Sequence, residues 1–234
     1  MPPALRPAFP DDGSHLQRYA ARLGATEINS SFYRPHRRST YERWAAWVPA
    51  AFRFAVKAPK LVTHTHGLAD VEVPLARFLD EISGLGDRLG VVLVQLPPKL
   101  VYDERVATSV FERLRDVHAV CEPRHARWFA DAADARLREL RVARVAADPA
   151  PVPRAERPGG WRGIEYHRLH GSPRMYWSAY EHTYLERLAS RLPTGQAETW
   201  CIVDNTAAGF AADNALELQR LAQSRTRTTP LSTE

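Results

Sequence analysis

Hydrophobic and polar positions along this chain switch repeatedly between two periods. Short apolar or alternating runs, which read as strands, are followed by stretches with apolar residues three and four apart, which read as helices. The strongest strand is Gly90-Val91-Val92-Leu93-Val94-Gln95-Leu96, a continuous apolar run of the kind buried on both faces, stopped by Pro97-Pro98. Phe52 to Lys57 alternates and puts Lys57 at its far end, and further strands are expected at Ala25 to Asn29, Ala119 to Glu122, Arg141 to Asp148, Tyr166 to His170 and Thr199 to Thr206. Ser14 can cap a helix reaching about Leu23, with Gly24 just beyond. Other helices are predicted from Thr40 to Val48, Val73 to Leu85, Asp103 to Val117, near Ala126, from Tyr176 to Leu192 and from Phe210 to Ala222. Between Pro149 and Gly163 four prolines and three glycines leave no helical pattern, so a long ordered loop or lid is expected where a repeat helix would otherwise stand.

Strands alternating with helices across short links imply a parallel sheet. About seven such pairs without a glycine-rich phosphate loop point to an α/β fold of the TIM type, a closed (β/α) barrel in one domain. The expected organisation is an irregular Pro-rich lead-in over 1–13, the barrel over 14–222 and a polar, disordered tail over 223–234.

Composition adds a bias toward anions. The 234 residues are 44% hydrophobic and carry a formal net charge of +5, with a pI near 9.5, which favours a small anionic ligand, with nucleic acid as the alternative. Cys121 and Cys201 lie in apolar runs and read as reduced core residues. No apolar run is long enough to cross a membrane and the start lacks a signal-peptide core, so a cytoplasmic protein with no membrane partner is expected. His64 and His66, with no Cys or carboxylate beside them, read as a surface pair; no metal or cofactor is assigned.

Candidate chemistry sits at the strand ends. Ala119-Val120-Cys121 stops abruptly at Glu122-Pro123-Arg124-His125, as a buried parallel strand does when it delivers polar groups to the mouth of a barrel. Several other strands end alike. Glu122, His170 and Lys57 are the candidate catalytic groups; Glu27, Asn29, Tyr33, Gln95, Arg124, Trp128, Asp148, Arg168 and Asn205 are the candidate substrate-binding groups. The competing view is that Glu122 and Arg124 belong to an ion-pair network that only holds the fold together.

The runs Glu27-Ile28-Asn29-Ser30-Ser31-Phe32-Tyr33-Arg34-Pro35, Phe54-Ala55-Val56-Lys57, Gln95-Leu96-Pro97-Pro98, Glu122-Pro123-Arg124-His125 with Trp128, Arg168-Leu169-His170-Gly171-Ser172-Pro173 and Asp204-Asn205-Thr206 resemble the YecE-like family, domain of unknown function 72. The resemblance spans roughly residues 14 to 220 and implies a TIM-type barrel, with no activity to carry over. Members of that family usually open on a strand ending in Gly-Trp-Ser or similar, and no such run precedes Ser14, which leaves two expectations open: the sequence begins late, or the barrel lacks its first strand.

Three functional readings compete. In the first, an enzyme of unassigned class among hydrolases, lyases and isomerases uses Glu122 and His170 for proton transfer. Lys57, Arg124 and Arg168 hold an anionic, possibly phosphorylated group, which Asn29, Gln95 and Asn205 orient. The second is a metal-assisted phosphodiesterase, nuclease or isomerase built on Glu27, Glu122, Asp148 and His170, against which the interleaved cations argue. The third is a non-catalytic binder of nucleic acid or another polyanion that uses Phe32, Tyr33 and Trp128 as stacking platforms. Oligomeric state is left open.

Overall fold

The computed structural model describes residues 7–193 and 197–228. Its elements in chain order are α1 (His15–Ala20), β1 (Ala25–Ile28), α2 (Ser30–Tyr33), α3 (Arg38–Ala46), β2 (Arg53–Lys57), α4 (Glu72–Ile82), β3 (Leu89–Gln95), α5 (Glu104–Arg113), β4 (Ala119–Glu122), α6 (Asp131–Glu139), β5 (Ala143–Arg144), β6 (Ala146–Asp148), β7 (Gly159–Gly160), β8 (Ile164–Leu169), α7 (His182–Arg191), β9 (Glu198–Val203) and α8 (Ala211–Thr228). Strands β1, β2, β3, β4 and β5 pair in that order, all parallel, and β6, β8 and β9 form a second parallel set. The expected 141–148 strand is two short pieces, β5 pairing with β4 and β6 with β8, so one stretch of chain joins both sets. The result is a TIM-type (β/α) barrel of seven successive parallel strand positions, where a closed barrel has eight.

Period-two alternation explains the two layers of the core. Ala55, Val91, Leu93, Val120, Ala143, Val145, Ile164, Tyr166 and Trp200 point inward and pack together as the barrel filling, with Ala25 and Ile202 against them. The intervening residues, among them Phe54, Val56, Val92, Val94 and Cys121, face outward onto α3, α4 and α5 through Tyr41, Leu75, Phe78, Val110 and Phe111. A third cluster joins Leu169, Tyr180, Leu185, Ala189 and Leu218 beneath α7 and α8. Cys121 and Cys201 are both free.

The barrel departs from a regular repeat in two places. Among the described residues no strand precedes β1, and β1 and β9 stand at the ends of the two sets without pairing to each other. A cavity of about 750 Å³ occupies this seam, walled by Tyr19 and Leu23 of the α1 segment, by β1 and β9, and by Ala215 and Leu218 of α8. The second departure is the 149–163 connection, which carries no α-helix, only a 3-10 turn over Pro153–Glu156 and β7, which turns back antiparallel onto β5. A Cβ on Gly160 would lie 2.5 Å from the Val142 carbonyl oxygen, and its φ is +61°, so this return requires glycine twice over.

Some expected boundaries move. Residues 30–33, expected as loop, form one helical turn; α7 starts at His182 rather than Tyr176; and α8 runs on to Thr228 instead of giving way to a disordered tail after Gln223. Part of the lead-in, residues 1–6, and residues 229–234 of the tail lie outside the described residues. No helix among the described residues is long and apolar enough to cross a membrane.

Leu93 lies at the centre of the barrel filling with no exposure, so Leu93→Ala should cost about 2–5 kcal/mol in urea denaturation. Val73→Ala, at a side chain that is 81% exposed, is expected to change stability by less than about 0.5 kcal/mol. Equal effects of the two would show that the barrel interior is not tightly filled.

Candidate active site

The inward face of β8 reads Ile164, Tyr166 and Arg168. Its first two residues belong to the barrel filling, and continuing the alternation carries Arg168 and then His170 to the carboxyl-terminal mouth. Arg168 is completely buried. Its Nε and Nη2 donate to Glu27 Oε2 and Oε1 at 3.0 and 2.7 Å, Nη1 donates to Glu122 Oε2 at 2.6 Å, and Nη2 also reaches Asp204 Oδ2 at 3.2 Å. Tyr166 adds a hydroxyl donor to Glu27 Oε2 at 3.0 Å. Burial works against the guanidinium charge, but Glu122, Glu27 and Asp204 outweigh it and raise the Arg168 pKa well above its ordinary value. The bidentate fork on Glu27 is geometry that lysine could not reproduce.

Glu122 is the most heavily used acceptor. Besides Arg168 it takes hydrogen bonds from Gln95 Nε2 at 3.1 Å on both oxygens and from Arg124 Nη2 at 3.1 Å, and His170 Nε2 lies 3.2 Å from its Oε1. Burial alone would push its carboxyl up; Arg168, His170 and Arg124 reverse this and hold it well below the usual carboxylate range. His170 is bracketed, with Nδ1 3.2 Å from Asp204 Oδ2. Burial disfavours its charged form, yet the hydrogen bonds with Asp204 and Glu122 prevail and its pKa is raised. A proton on each ring nitrogen therefore satisfies a carboxylate on each side.

Lys57 differs from its neighbours. It ends β2 facing inward and is 8% exposed, yet among the described residues its ammonium has neither an ion pair nor a hydrogen bond. Its backbone is fixed by the Ser31 hydroxyl, which donates to the Lys57 carbonyl at 2.7 Å, and Nζ stands 4.4 Å from the centre of the Phe32 ring. Burial and the nearby Arg168 charge, only partly offset by Glu27, Glu122 and Asp204, lower its pKa to about 8. Lys60 and Arg124 add positive charge to the rim beyond. His64, packed edge-on to Phe32 at 5.0 Å, has a lowered pKa because of burial and the charges of Lys57, Lys60 and Arg124.

Of the residues expected at the mouth, Glu27, Gln95, Glu122, Arg124, Arg168 and His170 form this single network, with Lys57 beside it. Asp148 does not join. The inward position of its strand falls on Ala147, and the Asp148 carboxylate instead accepts from the Tyr180 hydroxyl at 2.8 Å on the outer side of the sheet. Asn205 is one residue past the inward position and donates to Ser178 O and Asn214 Oδ1 at 2.8 and 2.9 Å, joining a loop to α8. Trp128 is buried in the outer core, donating to Leu100 O at 2.9 Å and packed edge-on to Tyr102, so it is no stacking platform. Tyr33 is 78% exposed and touches the site only through the Phe32 ring. Asn29 faces the seam cavity. Sequence reasoning missed Asp204, although Trp200, Ile202 and Asp204 share one face of a strand, and it left Lys60 and His64 out of the site although both lie in the segment that directly follows Lys57, because His64 read as half of a surface pair.

The profile of the family described as "Protein of unknown function DUF72" matches residues 5–234. The chain belongs to the DUF72 family. It is 27% identical over 146 residues to "UPF0759 protein YecE" of Escherichia coli K12, a match covering 58% of this chain and 53% of that protein, so it spans about half the length of that relative. Two solved DUF72 structures share the fold. One, from Enterococcus faecalis V583, superposes with a TM-score of 0.77 at 19% identity, covering 89% of this chain and 93% of that one. The other, from Thermotoga maritima MSB8, gives 0.72 at 23% identity, covering 92% of each.

In this DUF72 protein the two anchored ionisations act on stability in opposite pH windows. Glu122, depressed below its ordinary 4.5, contributes stability that is present above that value and lost as the pH falls toward its folded pKa. His170, raised above 6.5, contributes stability that is complete below that value and lost as the pH rises through its folded pKa. Glu122→Gln leaves Arg168 short of a partner and should cost about 3–5 kcal/mol at neutral pH, while shrinking the loss at both pH extremes. Urea midpoints measured across the pH range test this, and an unchanged midpoint at neutral pH would show that Glu122 does not anchor the network.

Proposed function

We propose that this protein is an enzyme that binds a small anionic substrate at the barrel mouth, with Lys57 as the group that contacts it and moves the proton. The supporting observation is the uncommitted ammonium. Glu27, Glu122 and Asp204 are already met by Arg168, Arg124 and a protonated His170, so Lys57 is the surplus charge of the constellation. A lysine with a pKa of about 8 holds a proton for an anion and can also give it up near neutral pH, which a carboxylate pinned well below its usual range cannot do.

On this reading the roles assigned from sequence shift. Glu122 and Arg168 position the site, and His170 keeps Glu122 and Asp204 apart; proton transfer passes to Lys57. Lys60 and Arg124 extend a positive rim that attracts an anion, with His64 held neutral between them, and the Phe32 face keeps water from the underside of the ammonium. The metal-assisted reading has less support, because the three carboxylates already share one guanidinium and no group of three or more His, Cys, Asp or Glu among the described residues is arranged around a cation position.

The test is calorimetric titration with a panel of phosphorylated and carboxylated metabolites. Lys57→Met should weaken binding of any anion that wild type takes by about 10- to 100-fold, the worth of a charged hydrogen bond. Wild-type affinity should fall as the pH rises through about 8, and Lys57→Arg should remove that fall while retaining binding. Affinity indifferent to Lys57→Met would move the anion away from this ammonium and sink the reading.

A further inference from the structure

In a barrel each strand's outer face is normally covered by the helix of its own connection. The 149–163 connection provides no such helix, and its β7 folds back onto β5, away from β8. The outer face of β6 and β8 is therefore left facing a cavity of about 690 Å³, closed on its other side by α7. That size suits a small molecule.

Four arginines wall this cavity: Arg157 and Arg162 from the connection, and Arg187 and Arg191, one turn apart on α7. Among the described residues none of the four guanidinium groups has a carboxylate within ion-pair distance; Arg162 donates to the Pro158 carbonyl at 2.8 Å. Acidic residues are present too. Asp148 is engaged by Tyr180, while Glu156 and Glu165 line the cavity without pairing to an arginine. At the barrel mouth, by contrast, every carboxylate is met. A second, smaller cavity that shares Arg157 and Arg162 adds Arg138 and Arg154, which do have acidic partners.

An independent observation lies at the floor. His167, on the outward face of β8, lines the cavity and is 8% exposed, and its buried Nε2 has no hydrogen-bond partner; the closest carboxylate oxygen, Glu165 Oε2, is 3.8 Å away. Leaving a buried ring nitrogen without a hydrogen bond is unfavourable, and a bound polar group in the cavity would offset that cost. The helix vacancy, the four guanidinium groups without a carboxylate partner and the buried imidazole nitrogen without a hydrogen bond all converge on one cavity.

We infer that this cavity is a second anion site, on the outside of the barrel and separate from the mouth, that takes a phosphorylated small molecule. Its phosphate sits among Arg157, Arg162, Arg187 and Arg191, whose planar forks match phosphate oxygens, and a polar group of the ligand meets His167 Nε2. The phosphate lies on the rim, where the arginines are exposed, and the rest of the ligand fills the floor.

The experiment is calorimetric titration of the full chain with ADP at constant ionic strength, with ribose 5-phosphate as a second probe. Saturable binding of one equivalent is expected, weakened at least tenfold by the double substitution Arg187→Ala, Arg191→Ala and also by His167→Phe, and unchanged by Lys57→Met. Because both arginines are exposed, the double variant should keep the wild-type melting temperature, so a loss of binding cannot be ascribed to misfolding. The inference is overturned if neither probe saturates, if the double variant binds as wild type does, or if binding disappears in Lys57→Met, which would place the phosphate at the mouth.

Discussion

Everything at the carboxyl-terminal end of this barrel depends on one completely buried guanidinium. Removing an arginine from water costs several kcal/mol unless its donors are met, and Arg168 is met by carboxylates from three separate places: Glu27 on β1, Glu122 on β4 and Asp204 just past β9. Two of those, β1 and β9, are the strands that do not pair with each other. Arg168 thus ties the two sides of the seam through side chains where backbone hydrogen bonds are lacking. Lysine at this position could not hold two flanking strands and a central one at once, because it offers one point charge in place of a planar fork.

The same saturation decides which groups remain free for chemistry. A carboxylate that accepts from Gln95, Arg124, Arg168 and His170 is held ionised and immobile, a good positioning device and a poor proton donor. His170 is similarly fixed between two carboxylates. What the network does leave is a field: burial and the positive charge of Arg168 act together on the Lys57 ammonium and bring its proton within reach of neutral pH. The structural network and the lysine proposed to react are therefore two parts of one arrangement, so a fold-holding ion-pair network and a site of the proposed kind are compatible at the level of individual residues.

How far the sequence revealed this is a matter of the strand period. The barrel and its inward layer were legible because buried parallel strands are long apolar runs, and because side chains of period two carry Lys57, Gln95, Glu122 and Arg168 to one end. The failures come from the same rule applied one residue off. On the 141–148 stretch the inward series is Ala143, Val145, Ala147, which leaves Asp148 outside with Tyr180; after β9 the series Trp200, Ile202 continues to Asp204, not Asn205. A strand end with two adjacent polar residues does not itself say which one points inward, and only the apolar residues before it do. Trp128 failed for another reason: an aromatic in a polar stretch looks exposed until the loop that carries Leu100 and Tyr102 is packed against it.

The long loop was also legible, as a stretch with too many prolines and glycines for a helix, but its consequence was not. Sequence shows that a helix is missing and does not show which surface it would have covered. In the fold, that surface is the outward face of β8, whose alternation sets Glu165 and His167 against α7 in a place where apolar residues would meet a covering helix. Outward-facing polar residues on a buried parallel strand are costly unless something polar is opposite. Here the opposite wall is arginine, from both the loop and α7, so the excess positive charge seen in the composition acquires a location away from the Lys57 rim. The loss of one helix from the repeat and the polarity of one strand's outer face thus belong to the same local solution, in which the cavity's unpaired charges need a ligand more than the saturated network of the mouth does.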